Sequence, residues 1–199
     1  MNVVEQAVIL CGGGAKRLQN RVRGEDFLQG LPKPLVEVGG QAFVLYAMCT
    51  LRACGVRDIV LVVRSCDCEH YNRCLCSHDR WRTSYAYREV NEGILRIDGL
   101  RDTFILLNGD CLPIMGMCEW YDYAQHLDPQ VTVRVIGDRD AGMATVRTCD
   151  VKSGNVDCGD IAGMRDTYRN YYVTGGLHIG TPQGLHRARQ YVDICVFGQ

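Results

Sequence analysis

An apolar run from Val3 to Cys11, broken only at Glu5 and Gln6, halts on three consecutive glycines, Gly12, Gly13 and Gly14. No other stretch restricts the fold as much. The run reads as a buried strand. Glycines after it leave backbone N–H groups uncovered and permit positive φ, so the loop can wrap a phosphate. Lys16 and Arg17 follow at once, and Arg17 can grip a phosphate through two parallel hydrogen bonds. Further on, Leu31-Pro32-Lys33-Pro34-Leu35 sets one lysine between two prolines, whose fixed φ stiffens the backbone around it. A phosphate cradle beside a pinned ammonium points to chemistry on a polyphosphate. The glycine cluster matches neither common signature. G-x-x-x-x-G-K-[ST] lacks its Ser or Thr after Lys16, and G-x-G-x-x-G would need glycine at Arg17.

The rest of the chain supplies the sheet that such a loop needs. A strand is expected over Leu35–Val38, then a helix over Ala42–Cys54 ending at Gly55, a natural C-terminal cap. Ile59–Val63 (IVLVV) is a continuous apolar run of the kind found in central parallel strands, which completes a βαβ unit. Asp67–His78 is expected to be the next helix and Arg80–Arg88 a short edge strand. Thr103–Leu107 (TFILL) is another buried strand, ending at Asn108-Gly109-Asp110. A carboxylate at the C-terminal end of a central parallel strand stands where such sheets bind ligands. Asp110 is therefore read as a metal ligand for a cation bridging phosphate oxygens, in preference to a plain helix cap. Pro113–Leu127 reads as a helix, and Val131–Ile136 with Met143–Thr148 as neighbouring strands. Asp150–Tyr168 reads as loop with short strands, and Gln183–Tyr191 as a closing helix.

Composition narrows the class. The 199 residues are 47% apolar and 23% charged, which fits one soluble globular domain, residues 1–199, with no internal repeat. A net charge of −1 speaks against electrostatic binding to nucleic acid or to an anionic membrane. The N-terminus lacks a basic region and its apolar run is too short for a signal peptide or a span, so the expected location is cytoplasmic. Twelve cysteines are many for such a chain. Several fit buried patterns, such as Cys11 at a strand end and Cys49 and Cys54 on a helix, where a free thiol acts as a small hydrophobe. Cys66, Cys68, His70, Cys74, Cys76 and His78 form a C-x-C-x5-C-x-C cluster with zinc-like composition, but C-x-C departs from usual zinc spacing. An amphipathic helix is the preferred reading of that cluster.

Leu10-Cys11-Gly12-Gly13-Gly14-Ala15-Lys16-Arg17-Leu18 and Pro32-Lys33-Pro34-Leu35 fall in register on L-A-G-G-x-G-T-R-L … P-K-P-L-x-x-V-x-G. The chain thus resembles the sugar-phosphate nucleotidylyltransferases. Ala15 stands where that family has glycine, and Lys16 where it has Thr or Ser. The resemblance implies an α/β, Rossmann-like (GT-A-type) fold: a mostly parallel sheet flanked by helices on both faces, with a small antiparallel extension. Residues 1–112 would form the nucleotide-binding part and 113–199 the sugar-phosphate-binding part. Gly12, Gly13, Gly14 and Lys16 would bind the nucleotide, with Glu92 and Gly93 in the eroded base-reading segment. Arg17, Lys33 and Asp110 would be catalytic, and Asp110 would hold Mg2+, with Mn2+ as the alternative.

The family's closing motif leaves two alignments open. Val173–Ile179 can match the internal strand that contacts the sugar. Alternatively, His178-Ile179-Gly180-Thr181-Pro182 can match the closing D-[IT]-G-T-P, with His178 replacing a second metal-binding Asp. The implied activity is nucleotidyl transfer from an NTP to a sugar-1-phosphate, with neither nucleic acid nor membrane as partner and a homo-oligomer left open. A molybdopterin-guanylyltransferase type of enzyme and a non-catalytic nucleotide- or sugar-phosphate-binding paralogue are the alternatives.

Overall fold

The computed structural model of the protein describes residues 4–12, 30–75, 82–88, 97, 99–113, 117–126, 131–135, 139–152, 169–173 and 176–197. Its centre is β1 (Gln6–Leu10), hydrogen-bonded in parallel to β4 (Asp58–Arg64) on one side and β6 (Thr103–Asn108) on the other, so that Ile9 lies between Leu61 and Leu107. These three strands are apolar without interruption because both of their faces are buried. Ala7, Ile9, Ile59, Leu61, Ile105 and Leu107 point into one core, and Val8, Val60, Val62, Phe104 and Leu106 into another. β5 (Arg82–Arg88) pairs parallel with β4 at one edge of the sheet, as its alternating sequence leads one to expect.

The other half of the sheet reverses direction. β9 (Arg139–Arg147) lies antiparallel between β6 and β8 (Val131–Val135), and β10 (Arg169–Val173) closes that edge parallel to β8. The full order is β10-β8-β9-β6-β1-β4-β5. Two short antiparallel pairs stand apart from the sheet. They are β2 (Glu37–Val38) with β3 (Gln41–Ala42), and β7 (Cys111–Pro113) with β11 (Gly176–His178).

Helices α1 (Phe43–Ala53), α2 (Cys68–Leu75) and α3 (Met117–His126) contribute Val44, Met48, Leu51, Tyr71, Trp120 and Ala124 to the first core. Among the described residues, Ile97 and Leu100 pack on the second, and the short α4 (Thr148–Lys152) follows β9. A third apolar cluster joins the early segment Val36, Val38 and Phe43 to Leu177 of β11, to Ile179 just beyond it, and to Leu185 and Ala188 of α5 (Pro182–Phe197). No helix among the described residues is long and apolar enough to cross a membrane.

Several expected boundaries shift: β9 begins at Arg139 rather than Met143, α4 takes in Asp150–Lys152 where loop is expected, and α5 runs past Tyr191. The strand expected at Leu35–Val38 begins as a 3-10 turn over Lys33–Leu35 and is extended only at Glu37–Val38. Flanking prolines lack an N–H for a ladder and favour such a tight turn. The helix expected from Pro113 starts at Met117, because Cys111–Pro113 is taken up by pairing with β11.

Candidate functional site

The candidate site lies at the C-terminal ends of β1 and β6, the mouth of an open parallel sheet. Lys33 reaches it from the 3-10 turn. That turn is closed by Leu35 N–H to Pro32 O (2.9 Å) and Val36 N–H to Lys33 O (3.0 Å), and is tied to α1 by Phe43 N–H to Val36 O (3.0 Å). Pro34 packs beside Gly109, where an added Cβ would sit 2.9 Å from Pro34 Cγ and 3.0 Å from Leu10 O. Glycine at 109 is thus required by close approach: its N–H donates to Leu10 O at 3.0 Å. The lysine segment and the end of β6 can meet only because no side chain separates them.

Here Lys33 Nζ donates to Asp110 Oδ2 at 3.2 Å, with side chains 10% and 20% exposed. His178 Nε2 lies 3.3 Å from the same carboxylate oxygen. His178 ends β11, where it stands opposite Cys111 of β7, and Ile179 N–H donates to Asp110 O at 2.9 Å. Thr181 and Pro182 then start α5, with Gly184 N–H donating to Thr181 Oγ1 at 3.1 Å, an ordinary N-terminal cap that fixes the chain beyond His178. Residue 178 thus meets Asp110, and Pro182 opens α5.

The electrostatics follow from this crowding. Burial by itself would raise the Asp110 carboxyl, but the His178 contact and the Lys33 ammonium outweigh it and hold the group well below the usual carboxylate range. Cys111, buried and beside that carboxylate (Sγ to Oδ1 3.5 Å), is pushed well above an ordinary thiol. Burial likewise pushes the Cys11 thiol up to about 12. Asp110, Cys111 and His178 carry ligand atoms all within 4.8 Å of one another, the one group of three such residues among those described. A single carboxylate can hold a Mg2+ whose other positions go to phosphate oxygens and water. Imidazole and thiol suit other divalent ions better.

Lys33, Asp110 and His178 are therefore brought together, and Gly12 follows Cys11 directly at the end of β1. Gly13, Gly14, Lys16, Arg17, Glu92 and Gly93 lie outside the described residues, as do Cys76 and His78 of the cysteine cluster. Cys66, Cys68, His70 and Cys74 form no metal-holding group among the described residues. Sequence reasoning missed Cys111 and Gly142, and named Gly180 only as part of the closing motif. At Gly180 a Cβ would lie 2.5 Å from the His178 ring, and at Gly142 (φ +66°) it would lie 2.8 Å from Cys111 Sγ. Only the position of Cys111 beside Asp110 could have pointed to it.

Residues 7–110, just over half of the chain, match the profile of the MobA-like NTP transferase domain. No curated protein matches the chain at a significant level. Among solved structures, a Bacillus anthracis protein assigned as a glucose-1-phosphate thymidylyltransferase, solved with sucrose, superposes with a TM-score of 0.68 at 15% identity. The match covers 94% of each chain. The inositol-1-phosphate CTP transferase of T. maritima superposes equally well, with a TM-score of 0.68 at 15% identity, over 96% of this chain and 97% of its own. At that identity these likenesses speak for the fold, a Rossmann-like α/β sheet flanked by helices. With the profile spanning the strand that leads into the glycine loop, the proline-flanked lysine and the strand ending at Asp110, the chain belongs to the MobA-like NTP transferase domain family of nucleotidyltransferases.

Proposed function

We propose that the protein transfers a nucleotidyl group from an NTP to a sugar-1-phosphate or similar phosphomonoester, releasing pyrophosphate. The observation that carries this reading is the buried Lys33–Asp110 contact at the mouth of the sheet. A phosphate oxygen of the acceptor attacks the α-phosphorus. A new P–O bond forms, the bond to the bridging oxygen breaks, and pyrophosphate leaves with that electron pair. The acceptor phosphate is already ionised at neutral pH, so no general base is called for.

Lys33, fixed by its turn, offsets the repulsion between acceptor phosphate and α-phosphate and holds them in line. Gly12, Gly13 and Gly14 offer backbone N–H groups to the triphosphate, joined by Lys16, and Arg17 neutralises the leaving pyrophosphate. Glu92 and Gly93 would face the base. Asp110, with His178 beside it, would hold the divalent ion of the reaction, Mg2+ or Mn2+, which supplies positive charge against the phosphates when bound. The good cover of two structures named for sugar- and inositol-1-phosphate transfer supports the acceptor class. A second reading, guanylyl transfer to a molybdopterin-type acceptor, is favoured by the family profile and disfavoured by Pro32-Lys33-Pro34-Leu35.

Pyrophosphate release from each NTP, with a panel of sugar- and polyol-1-phosphates and with Mg2+ or Mn2+, tests the proposal. One pair should react, and Asp110→Ala should abolish the reaction. NTP binding without turnover for any acceptor would sink the transferase and leave a nucleotide-binding protein.

A further inference from the structure

Tyr71 of α2 is among the largest fully buried side chains of the protein, yet it carries a hydroxyl into the first core. That hydroxyl donates to the Cys11 carbonyl oxygen at 3.2 Å. Cys11 is the last residue before the glycines. Two backbone bonds hold the same stretch: Cys11 N–H donates to Val62 O at 2.8 Å, and Gly109 N–H to Leu10 O at 3.0 Å. The chain that enters the glycine loop is thus bonded from β4, from the residue after β6 and from α2. Tyr71 is placed in turn by the residues before its helix. Buried Asp67 accepts from Arg64 Nε at 2.6 Å and from Arg64 Nη2 at 2.9 Å. This two-pronged contact ties the start of α2 to the end of β4, the strand that receives the Cys11 N–H.

The Cys11 carbonyl belongs to the same peptide group as the Gly12 N–H. A trans peptide is planar, so the two point in opposite directions, and no cis bond occurs among the described residues. With the carbonyl drawn toward α2, the Gly12 N–H points away from α2 and the first core. Cys11 is fully buried and Gly12 only partly, so the chain leaves the core at this peptide. A carbonyl that accepts a hydrogen bond also makes the N–H of its own peptide a stronger donor. Burial raises the Tyr71 hydroxyl well above an ordinary phenol, so it keeps its proton and stays the donor. Phenylalanine would fill the same space and lose both effects.

We propose that Tyr71 is a positioning residue for the nucleotide: by holding the Cys11 carbonyl, it aims the Gly12 N–H at a phosphate oxygen of the NTP. The proposal rests on the transferase reading for the identity of that phosphate, and adds to it a buried side chain from α2.

Labelling both ends of the peptide provides the test. Cysteine labelled with carbon-13 at the carbonyl and glycine labelled with nitrogen-15 leave three Cys–Gly signals, from Cys11-Gly12, Cys54-Gly55 and Cys158-Gly159. Cys11→Ala identifies the first by its loss. The α,β-methylene analogues of the common NTPs and dTTP are then added with Mg2+. In wild type, one analogue should move the Gly12 amide signal. Tyr71→Phe should shift the Cys11 carbonyl signal before any ligand is added and weaken that analogue by about 3- to 10-fold. It should also raise the KM for NTP and leave the KM for the acceptor unchanged, a split that lost stability alone would not produce. An unmoved Gly12 amide with analogue bound to wild type, or equal affinity in Tyr71→Phe, overturns the proposal. The wild-type signal can overturn it even if Tyr71→Phe fails to fold. Binding of no analogue overturns it together with the transferase. Pyrophosphate release with an unchanged KM for NTP in Tyr71→Phe would leave the transferase standing and refute the role of Tyr71. Tyr71-dependent binding without pyrophosphate release would do the reverse.

Discussion

Lys33 and Asp110 pose the question that decides the site at the scale of single residues. Taking two charges out of water costs about as much as their attraction returns, so a largely buried pair is weak evidence of a stabilising role. Removing one partner is different, because it strands the other. Lys33→Met should therefore destabilise the protein by about 1–3 kcal/mol and lower kcat by about 100- to 1,000-fold. Lys33→Met/Asp110→Asn should regain most of that stability and none of the activity. Urea unfolding beside the pyrophosphate assay separates the two effects, and a double variant no more stable than the single one would count against a coupled pair.

The thiols give a second residue-scale prediction. Cys11 is buried beyond the end of β1, where the Tyr71 hydroxyl donates to its carbonyl oxygen at 3.2 Å. Cys49, expected to be buried, is exposed because it falls off the core-facing stripe of α1, Cys54 just beyond that helix is half-buried, and Cys66 and Cys149 are exposed. A thiol whose folded value is raised is favoured in its neutral form by the fold. Its contribution is complete below the unfolded value of 9.0 and is lost as pH rises toward about 12. Alkylation at neutral pH followed by peptide mapping should label Cys49, Cys66 and Cys149 and spare Cys11 and Cys111. Cys11→Ala should flatten the fall in stability between pH 9.0 and about 12. A slope unchanged by the substitution would show that other groups govern it.

At the scale of elements, legibility tracks burial and length. β1, β4 and β6 were readable because both faces are covered, which leaves only apolar residues to use. α1 was readable from its spacing and from Gly55 (φ +95°), which turns the chain beyond its end. β7 was not, because three residues give no period, and what pairs it with β11 is contact between distant parts of the chain. Nor could the sequence say that β9 inserts between β6 and β8, since a hairpin pattern fixes the partner strand but not the neighbour on its far side. The site shared this fate: Lys33 and Asp110 were marked by their motifs, whereas Cys111, Gly142 and Gly180 matter only through proximity.

Gly184 makes the point testable. It sits in the first turn of α5, where propensity alone would make alanine better by about 1 kcal/mol. Yet a Cβ there would run into the carbonyl oxygen of His178. The steric term should win, so Gly184→Ala should lower stability by about 1–3 kcal/mol and reduce activity by moving His178. A thermal-denaturation midpoint raised by this substitution would mean that α5 and β11 are less tightly apposed.

For the whole molecule, the division proposed at residue 112 between a nucleotide-binding and a sugar-phosphate-binding part does not mark a seam in the packing. The first core needs Trp120, Tyr121, Ala124 and Met143, and the second needs Ala144 and Val146, all from beyond that point. Without β9, β6 would become an open edge of an apolar sheet, the kind of strand that pairs with another chain. The segment that positions Lys33 likewise rests on Leu185 and Ala188 of α5. A fragment ending at residue 112 would thus keep nearly every motif of the nucleotide-binding part and lose the packing that holds them in place. It should lack near-ultraviolet circular dichroism, bind a hydrophobic dye and aggregate, while Trp120→Ala in the full chain should cost about 3–5 kcal/mol and still unfold cooperatively. A soluble fragment with a single sharp unfolding transition would show instead that the N-terminal half folds alone, and that the later strands and α5 were added to a sheet already able to hold its nucleotide.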